Sequence, residues 1–307
     1  MEERSSQLVR LVEALAPAIG HHSTLAPTVK VQRAEHSVKA DPVFQPPCIS
    51  LVIQGRAILS SNVNVHMIDR DHFFLASVPA PFELETSASP AVPLLTIDVE
   101  FETPLALEIA SALGPRDSSY PKTNALCCTS GRSDQGIKEL AARIVTALHD
   151  PAACRILMPG LIRELHFHLL NNDEGLAVLA GMNGVGTRSK VLKTTDKLLK
   201  PAEASVSIDA IAASTGLSLS SYHSHFKALF GCTPLEYQKA ARLHEARSLL
   251  RSTSLSIAAI GRAVGYTGLS QFSREFRRHF GHTAREESGS KNIDGPSIAG
   301  ALPSMSD

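Results

Sequence analysis

The spacing of apolar residues differs between the two halves of the chain. Between residues 46 and 101 the apolar residues form short runs separated by Gly, Pro, Asn and Asp, and the last run, LLTIDVEF, alternates apolar and polar positions. Short segments of this kind, with turn residues between them, are typical of antiparallel β-sandwiches and barrels. After Pro104 the spacing becomes helical, most clearly over residues 137–148. The pattern predicts an α+β protein whose N-terminal β domain is followed by helices.

Glycine-rich composition marks the predicted boundary between domains. Residues 171–189 contain four glycines and are interpreted as an interdomain linker. We therefore predict an N-terminal domain at residues 1–170 and a C-terminal helical domain at residues 190–285. Residues 286–307 are rich in Ser, Gly and Pro, a composition that predicts a disordered tail.

Two similar segments about fifty residues apart are the most informative feature. The segments that begin at Ile208 and Ile257 match at an offset of 49 residues, and the aromatic residues that follow match at an offset of 50. In each copy the first predicted helix ends at a glycine, Gly216 or Gly265, where a positive φ suits glycine. The second predicted helix carries an aromatic residue at every fourth position, namely Tyr222, Phe226 and Phe230 or Phe272, Phe276 and Phe280. A buried stripe that leaves the other helix face free is the pattern of a helix-turn-helix.

A predicted connecting helix joins the two copies. Residues 234–251 begin with Pro234 after Thr233, which is a favourable helix start, and about 18 helical residues span roughly 27 Å. Ser218 and Thr267 are expected to cap the second helix of each copy. Two units held this far apart could enter successive major grooves, roughly 34 Å apart, on one face of DNA. The alternative is an ordinary helical bundle or a solenoid, but two copies are too few for a stable solenoid.

Charge is divided unevenly between the predicted domains, although the formal net charge of the chain is zero. Residues 190–285 contain 14 Lys and Arg against 6 Asp and Glu, whereas residues 1–189 contain 15 against 20. A basic domain attached to an acidic one suggests a polyanionic partner for the basic part. Random clustering of charge would give the same asymmetry, so the case for DNA depends on the repeat.

The C-terminal repeat resembles the AraC/XylS family of transcription regulators. The resemblance covers about residues 190–285 and includes the run GLSLSSYHSHFKALFGCTPLEYQKAARLHEARSLLRSTSLSIAAIGRAVGYTGLSQFSREFRRHFG. The N-terminal half resembles one subgroup's effector-type domain in the runs PPCISLVIQGRAILSS, LLTIDVEF and LIRELHFHLL. Together these resemblances imply a cupin-like β-barrel with helices used for dimerisation, followed by an all-α domain with two helix-turn-helix units.

The resemblance implies that base-reading residues lie on the exposed faces of the two second helices, here called the recognition faces. The first recognition face consists of Ser220, His223 and Ser224, and the second consists of Leu269, Ser270, Ser273 and Arg274. Arg274 can donate two hydrogen bonds to guanine O6 and N7. Its counterpart, Ser224, stands where the family commonly has arginine, so Ser220 and Ser224 could equally face solvent or phosphate, and His223 could compensate.

Further basic residues fit contacts with the DNA backbone. Lys227, Arg277 and Arg278 are interpreted as phosphate-neutralising residues, and the alternative is a solvated basic face. On the connecting helix, Arg242 and Arg247 could bind phosphate or pair with Glu245. A second departure from the family pattern is Ala284, where a proline is usual after the second unit.

Catalysis has no support in the sequence, and no cofactor is predicted. Cupin enzymes bind metal through a His-x-His motif on a strand, but the barrel-like region offers only His66 and His72, six residues apart. His166 and His168 lie in helical sequence, where the two imidazoles point about 200° apart and cannot chelate one ion. Neither a glycine-rich phosphate loop nor a Gly-x-Ser-x-Gly motif is present. A metal-dependent cupin enzyme with a DNA-binding appendage remains the alternative class.

The five cysteines do not form a disulfide framework, because their number is odd and the chain is long. Two of them, Cys127 and Cys128, are adjacent. This pair is either a redox sensor or two ordinary thiols in the core or on the surface.

The sequence therefore predicts a sequence-specific DNA-binding transcription regulator with a sensing or dimerising N-terminal domain. Double-stranded DNA is the predicted partner, and RNA polymerase, a small-molecule effector and a second copy of the chain are further candidates. A barrel can hold a small ligand in its mouth, although the contacts cannot be named, and a ligand-independent DNA binder is the alternative. The lack of a signal peptide and of an apolar run of about 18 residues predicts a cytoplasmic protein without membrane contact.

Overall fold

The structure, a computed structural model, describes residues 2–114, 127–183, 186–200 and 207–289. The strands are β1 (Gly20–Ser23), β2 (Val29–Ala34), β3 (Val38–Gln45), β4 (Cys48–Gln54), β5 (Arg56–Ser60), β6 (Val65–Ile68), β7 (His72–Ala76), β8 (Ala80–Ser87), β9 (Leu94–Glu100) and β10 (Cys128–Arg132). They form a six-stranded sheet in the order β1-β2-β9-β4-β7-β10 and a four-stranded sheet in the order β3-β8-β5-β6. All the strand pairs are antiparallel, as the short alternating runs predict.

The six-stranded sheet is buried on both faces, which explains why the run CISLVIQ is almost entirely apolar. In β4, Ile49, Leu51 and Ile53 belong to the core under the N-terminal helices, whereas Cys48 and Val52 belong to the core between the two sheets. Successive residues of a strand point to opposite faces, so a strand that is covered on both sides needs apolar residues at every position.

Five helices lie in the N-terminal part of the residues that the structure describes. They are α1 (Glu2–Leu15), α2 (Thr103–Leu113), α3 (Gln135–Ala147), α4 (Pro151–Leu170) and α5 (Asp173–Asn183). Buried residues of α1 to α5 share one hydrophobic core with the outer face of the six-stranded sheet. No helix in the described part of the chain is long and apolar enough to cross a lipid bilayer.

The glycine-rich segment at 171–189 is not an extended linker. Most of it forms α5, whose Val178 and Leu179 are buried in the N-terminal core. Gly175 serves close packing, because a Cβ there would lie 2.0 Å from the carbonyl oxygen of Leu169. The glycine therefore lets α5 follow directly on the end of α4, a packing role that composition alone does not reveal. Residues 184–185 lie outside the described residues.

The C-terminal part is helical. Its helices are α6 (Thr187–Leu192), α7 (Thr195–Leu198), α8 (Ile208–Ser214), α9 (Leu219–Phe230), α10 (Pro234–Ser252), α11 (Ile257–Ala263), α12 (Leu269–Phe280) and α13 (Ala284–Gly289). The predicted α+β class, with an antiparallel-sheet domain followed by an all-α domain, is confirmed. Residues 286–289, predicted to begin the disordered tail, instead end α13, where Glu287 is buried. The remainder of the predicted tail lies outside the described residues.

The two sheets, which together are here called the barrel, share one hydrophobic cluster with the first helix-turn-helix unit. It joins barrel residues with residues of α9 and α10, including Phe44, Phe74, Phe82, Tyr222, Phe226, Phe230 and Tyr237. The second unit has a separate cluster that includes Phe272, Phe276 and Phe280. The first unit is therefore built into the core of the barrel, whereas the second has a core of its own.

The glycines that end α9 and α12 allow a test of whether the barrel packs against the first unit and not against the second. Gly231 and Gly281 both have positive φ, 73° and 81°, so replacing either with alanine should cost roughly 1–2 kcal/mol of backbone strain. A Cβ on Gly231 would also meet the Cβ of Asn62 at 3.0 Å, whereas one on Gly281 meets no described atom within 4 Å. We expect Gly231→Ala to lower the free energy of unfolding by more than Gly281→Ala does, as measured by urea denaturation. Equal losses of unfolding free energy would show that the close packing of Asn62 against Gly231 adds nothing to the cost.

Candidate nucleic-acid interface

The first helix-turn-helix unit consists of α8 and α9. Ser207 caps α8 through a hydrogen bond from Ala210 N, and Ser218 caps α9 through a hydrogen bond from Ser221 N, which confirms the predicted role of Ser218. The turn between the helices passes through Gly216 at φ 75°. The aromatic stripe of α9 is buried as predicted, with Tyr222, Phe226 and Phe230 at 3% exposure or less.

The second unit, α11 and α12, repeats this construction with one difference. Gly261 lies where the two helices approach closely, since a Cβ there would meet the Phe272 ring at 3.3 Å. The prediction that Thr267 caps α12 is wrong. The N-cap is Gly268, which has no side chain to accept a hydrogen bond. The turn of the second copy holds one residue more than that of the first, so the position equivalent to Ser218 is Gly268.

The structure places the two recognition faces at the surface. Ser220 and Ser224 are exposed on α9, and His223 is half-buried beside them. On α12, the exposed residues are Leu269, Ser270, Ser273 and Arg274. The Arg274 side chain lies along its helix, where Nε donates to the Ser270 carbonyl at 3.3 Å. Both faces are thus available to a ligand outside the molecule.

The predicted phosphate-binding residues are also exposed. Lys227 lies in the last turn of α9, and Arg277 and Arg278 lie in the last turn of α12. Cations near a helix C-terminus are also favoured by the helix dipole. Their position alone therefore fits both a DNA-binding role and a local stabilising role.

Asn62 and Cys127 of the barrel contact the C-terminal end of α9. Asn62, in the loop between β5 and β6, donates from Nδ2 to the Gly231 carbonyl at 3.0 Å. Cys127, next to β10, donates from Sγ to the Leu229 carbonyl at 3.5 Å. These contacts join residues more than a hundred positions apart, and no local pattern in the sequence indicates them.

The connecting helix α10 also packs against the barrel. Tyr237, which is fully buried, donates its hydroxyl hydrogen to the Pro79 carbonyl at 2.6 Å, and burial raises the pKa of this hydroxyl well above its ordinary value. The Phe44 ring meets the Tyr237 ring edge-on, with centroids 5.2 Å apart. The capping box of Thr233 and Glu236 fixes the start of the helix. The first turns of α10 are therefore fixed against the barrel.

Arg247 links α10 to the barrel and to α13. Its guanidinium lies 3.6 Å from Asp41 and 3.4 Å from Glu287, instead of pairing with Glu245 as one interpretation of the sequence had it. Burial would raise the pKa of Glu287, but a hydrogen bond from His282 and the charges of Arg247 and Arg251 hold it below its ordinary value. Glu287 is thus ionised at neutral pH and joins α10 to the end of the second unit.

The interior of the barrel holds a polar group beside a small cavity. Its polar centre is Asp98, which accepts hydrogen bonds from Ser50 Oγ at 2.6 Å and from Thr96 Oγ1 at 3.1 Å. Burial raises the pKa of Asp98. The cavity beside it has a volume of about 30 Å³, which is room for a water molecule or two.

A larger groove of about 710 Å³ lies outside the barrel, where α1, β4 and α3 meet. Its apolar walls include Leu8, Leu51, Ile53 and Ile137, and its cationic side chains are Arg70, Lys138 and Arg143. Lys138 pairs with Asp71, and Arg143 pairs with Glu164. Arg70 forms no ion pair within the described residues. The groove therefore combines an apolar lining with the guanidinium of Arg70. No pattern in the sequence predicts this groove.

The histidines considered as metal ligands make other contacts. His66 bonds through Nδ1 to Ser130 Oγ at 3.1 Å, and His72 bonds to Asp69 at 2.8 Å. His166 bonds through Nε2 to the backbone N–H of Glu102 at 3.1 Å. Among the residues that the structure describes, no group of three His, Cys, Asp or Glu side chains is arranged to hold a metal ion.

Family comparisons match both parts of the chain. The model of the AraC-type transcriptional regulator N-terminus matches residues 26–177, and the model of a helix-turn-helix domain matches residues 211–287. Among curated proteins, the lactose operon transcription activator of Staphylococcus xylosus is 36% identical over 81 residues, and the HTH-type transcriptional activator RhaS of Escherichia fergusonii is 42% identical over 81 residues. Each alignment covers 26% of this chain and 29% of the relative, so the chain matches less than a third of these relatives' length.

Solved structures of ToxT from Vibrio cholerae share the fold. An apo ToxT variant superposes with a TM-score of 0.59 at 11% identity, over 85% of this chain and 97% of ToxT. Wild-type ToxT bound to an unsaturated fatty acid gives a TM-score of 0.52 at 11% identity, over 90% of this chain and 97% of ToxT. At 11% identity this likeness shows that the fold is shared and nothing further.

Proposed function

Because the chain belongs to the AraC/XylS family of transcription regulators, we propose that it binds specific DNA sequences and regulates transcription. The observation that carries the proposal is the pair of exposed recognition faces, held on two units that one helix, α10, connects. The relatives RhaS and the lactose operon activator are named as activators, which favours activation as the direction of control.

The two recognition faces contribute unequally. Arg274 is the strongest base-reading residue, because an exposed guanidinium can make two hydrogen bonds to one guanine in the major groove. The first face offers Ser220, His223 and Ser224, whose single donors and acceptors discriminate bases less strongly. Lys227, Arg277 and Arg278 bind phosphates, and they supply affinity that depends on salt but hardly on sequence.

Arginine and lysine substitutions distinguish these two roles. Arg274→Ala should cost about 1–3 kcal/mol of binding free energy and relax the base preference at one position. Lys227→Ala should weaken binding to all sequences alike and reduce the salt slope by about 1. Fluorescence anisotropy at several salt concentrations measures both effects, on the chain's own upstream promoter region and on a scrambled fragment of equal length.

Arg155, exposed on α4 far from both units in sequence, provides the matched control. Arg155→Ala should bind the promoter as the wild type does. Equal affinity of the wild type for promoter and scrambled DNA, at one salt concentration, would contradict the proposed function.

The groove between α1, β4 and α3 is the proposed site of a small effector. Its volume of about 710 Å³ lies within the range of roughly 300–1,000 Å³ that is usual for ligand pockets, whereas the cavity beside Asp98 has only about 30 Å³. Apolar walls beside Arg70 suit an amphipathic carboxylate. ToxT, which shares the fold, has been solved with an unsaturated fatty acid, so a carboxylate of this class is a reasonable first probe.

Decanoate, with decanol as the uncharged comparison, tests this site. Ala142→Leu on α3 would fill the groove at little cost in helix propensity and should weaken decanoate binding by about tenfold or more. Arg70→Gln should weaken the binding of decanoate but not of decanol. Isothermal titration calorimetry on the full chain measures both, with the exposed Ala152→Leu as control. Unchanged decanoate binding by Ala142→Leu would place the effector elsewhere.

An activator also needs contacts beyond DNA. RNA polymerase is the proposed macromolecular partner, since an activator must act on it, and a second copy of the chain is the other. Ile156 and Leu157 on α4 are 71% and 53% exposed, and the family resemblance assigns dimerisation to helices of this part of the chain. Both partners stay predictions that follow from the proposed function.

A further inference from the structure

Four of the five cysteines gather where the barrel meets the first helix-turn-helix unit. Cys48, Cys127, Cys128 and Cys232 all lie in or against the hydrophobic cluster that these two parts share. The fifth, Cys154, lies in the separate core under the N-terminal helices. The thiols are therefore concentrated at the junction that connects the barrel to a recognition helix.

At this junction the side chains of Cys127, Cys128 and His66 are in successive contact. Cys127 Sγ lies 3.7 Å from Cys128 Sγ, and Cys128 Sγ lies 3.6 Å from His66 Nε2. The other ring nitrogen of His66 meets Ser130 Oγ at 3.1 Å. When His66 Nδ1 carries the proton and donates it to Ser130, Nε2 is left to accept the proton of Cys128. A thiol next to an oriented imidazole is the arrangement that activates cysteine in proteins.

The protonation of these groups favours reaction at Cys127 first. The hydrogen bond between the two thiols lowers the pKa of Cys127 and, together with burial, raises the pKa of Cys128, and the thiolate is the nucleophilic form of cysteine. Burial lowers the pKa of His66 to about 4, so the imidazole beside Cys128 is neutral at pH 7. Cys127 is thus the thiol of the pair that loses its proton more readily.

Cys127 is also in contact with the DNA-binding part. Its sulfur donates to the Leu229 carbonyl at 3.5 Å in the last turn of α9. Its own carbonyl accepts from Ser77 N at 2.9 Å and from Ser77 Oγ at 3.1 Å. A chemical change at this residue therefore disturbs both the end of the recognition helix and the edge of the barrel.

We propose that Cys127 and Cys128 are a reaction site for hydroperoxides and that their oxidation weakens the attachment of the first helix-turn-helix unit to the barrel. The regulatory consequence rests on the proposed DNA-binding function, whereas the chemistry does not. Hydrogen peroxide is the oxidant of choice because both thiols are only 3–4% exposed. It is uncharged and close to water in size, so a local opening of the junction is enough to admit it.

The reaction takes place in two steps. Cys127 gives up its proton, and its thiolate attacks one peroxide oxygen. The O–O bond breaks, Cys127 sulfenic acid forms, and the other oxygen leaves as hydroxide, which takes up that proton to become water. His66 then takes the proton of Cys128, whose thiolate attacks the Cys127 sulfur and expels the second oxygen as water. In sum, two thiols and one hydrogen peroxide give one disulfide and two water molecules.

The product does not fit the reduced geometry. Consecutive Cα atoms lie about 3.8 Å apart across a trans peptide, whereas disulfides usually join Cα atoms roughly 4.4–6.8 Å apart. Rotation cannot lengthen the distance between neighbouring Cα atoms, so the bond strains the backbone at the start of β10. Oxidation also removes the Cys127 thiol proton that is donated to the Leu229 carbonyl, and the strained backbone disturbs the hydrogen bonds to Ser77.

Peptide mapping by mass spectrometry tests the chemistry on the full-length wild-type chain. After treatment with hydrogen peroxide and blocking of free thiols, we expect one disulfide, joining Cys127 to Cys128, that dithiothreitol reverses. Cys154→Ser, which removes the buried thiol outside the junction, should form the same bond. Free thiols at both positions after treatment, or a disulfide that joins Cys127 to Cys48 or Cys232 instead, would overturn the proposal.

Two variants separate the steps. In Cys128→Ser and in His66→Gln, sulfenic acid on Cys127 should accumulate and be trapped by dimedone, because the second thiol is missing or has lost its base. Wild-type protein should give little dimedone adduct. Equal trapping in wild type and His66→Gln would show that His66 takes no part, even if the variant folds less stably.

DNA binding tests the regulatory half separately. The reduced wild-type chain is first shown to bind its promoter fragment, and failure at this point would count against the proposed function alone. Oxidation should then lower that affinity by about fivefold or more, within the usual range of coupling between sites, and dithiothreitol should restore it. An oxidised chain that carries the disulfide and binds DNA as tightly as before would overturn the coupling to α9.

Discussion

The packing of α10 against the barrel is the interaction on which the arrangement of the molecule depends. Tyr237 is fully buried there, its hydroxyl donates to the Pro79 carbonyl, and its ring packs against Phe44. Since α10 also sets the separation of the two helix-turn-helix units, the barrel determines where both recognition faces lie. Arg247 extends the same attachment to Asp41 and Glu287, so the second unit is tied to the barrel through charge as well as through the helix.

The thiol pair and the groove proposed for an effector lie at opposite ends of β10. β10 begins at Cys128, beside the thiol pair, and ends next to Ser133, which lines the groove proposed for an effector. The strand pairs with β7 along its whole length. A ligand in the groove and an oxidant at the thiols would therefore act on the same edge strand, and that strand begins where the barrel meets α9. A regulator can combine two signals in this way if both bias one equilibrium between attached and released states.

Much of the fold and of the site could be predicted from the sequence because it follows from local periodicity. The aromatic stripes of α9 and α12, the start of α10 after Thr233 and the alternating residues of β9 each concern neighbours in the chain. The attachment of Asn62 to Gly231, the pairing of Arg247 with Glu287 and the grouping of the thiols could not be predicted, since they join distant positions that no periodicity relates. Composition can also mislead. The glycine-rich segment that contains Gly175 was predicted to be a linker, but Gly175 is needed because the backbone of Leu169 lies too close for a side chain.

The proposed function requires α10 to hold the two recognition faces so that they enter successive major grooves on one side of the DNA. Guanine methylation interference on the chain's own promoter region measures this directly, because methylation at N7 blocks the major groove at each contacted guanine. The account predicts two groups of interfering guanines about 10 base pairs, or one helical turn, apart on the same face. A single group, or two groups on opposite faces of the duplex, would contradict it.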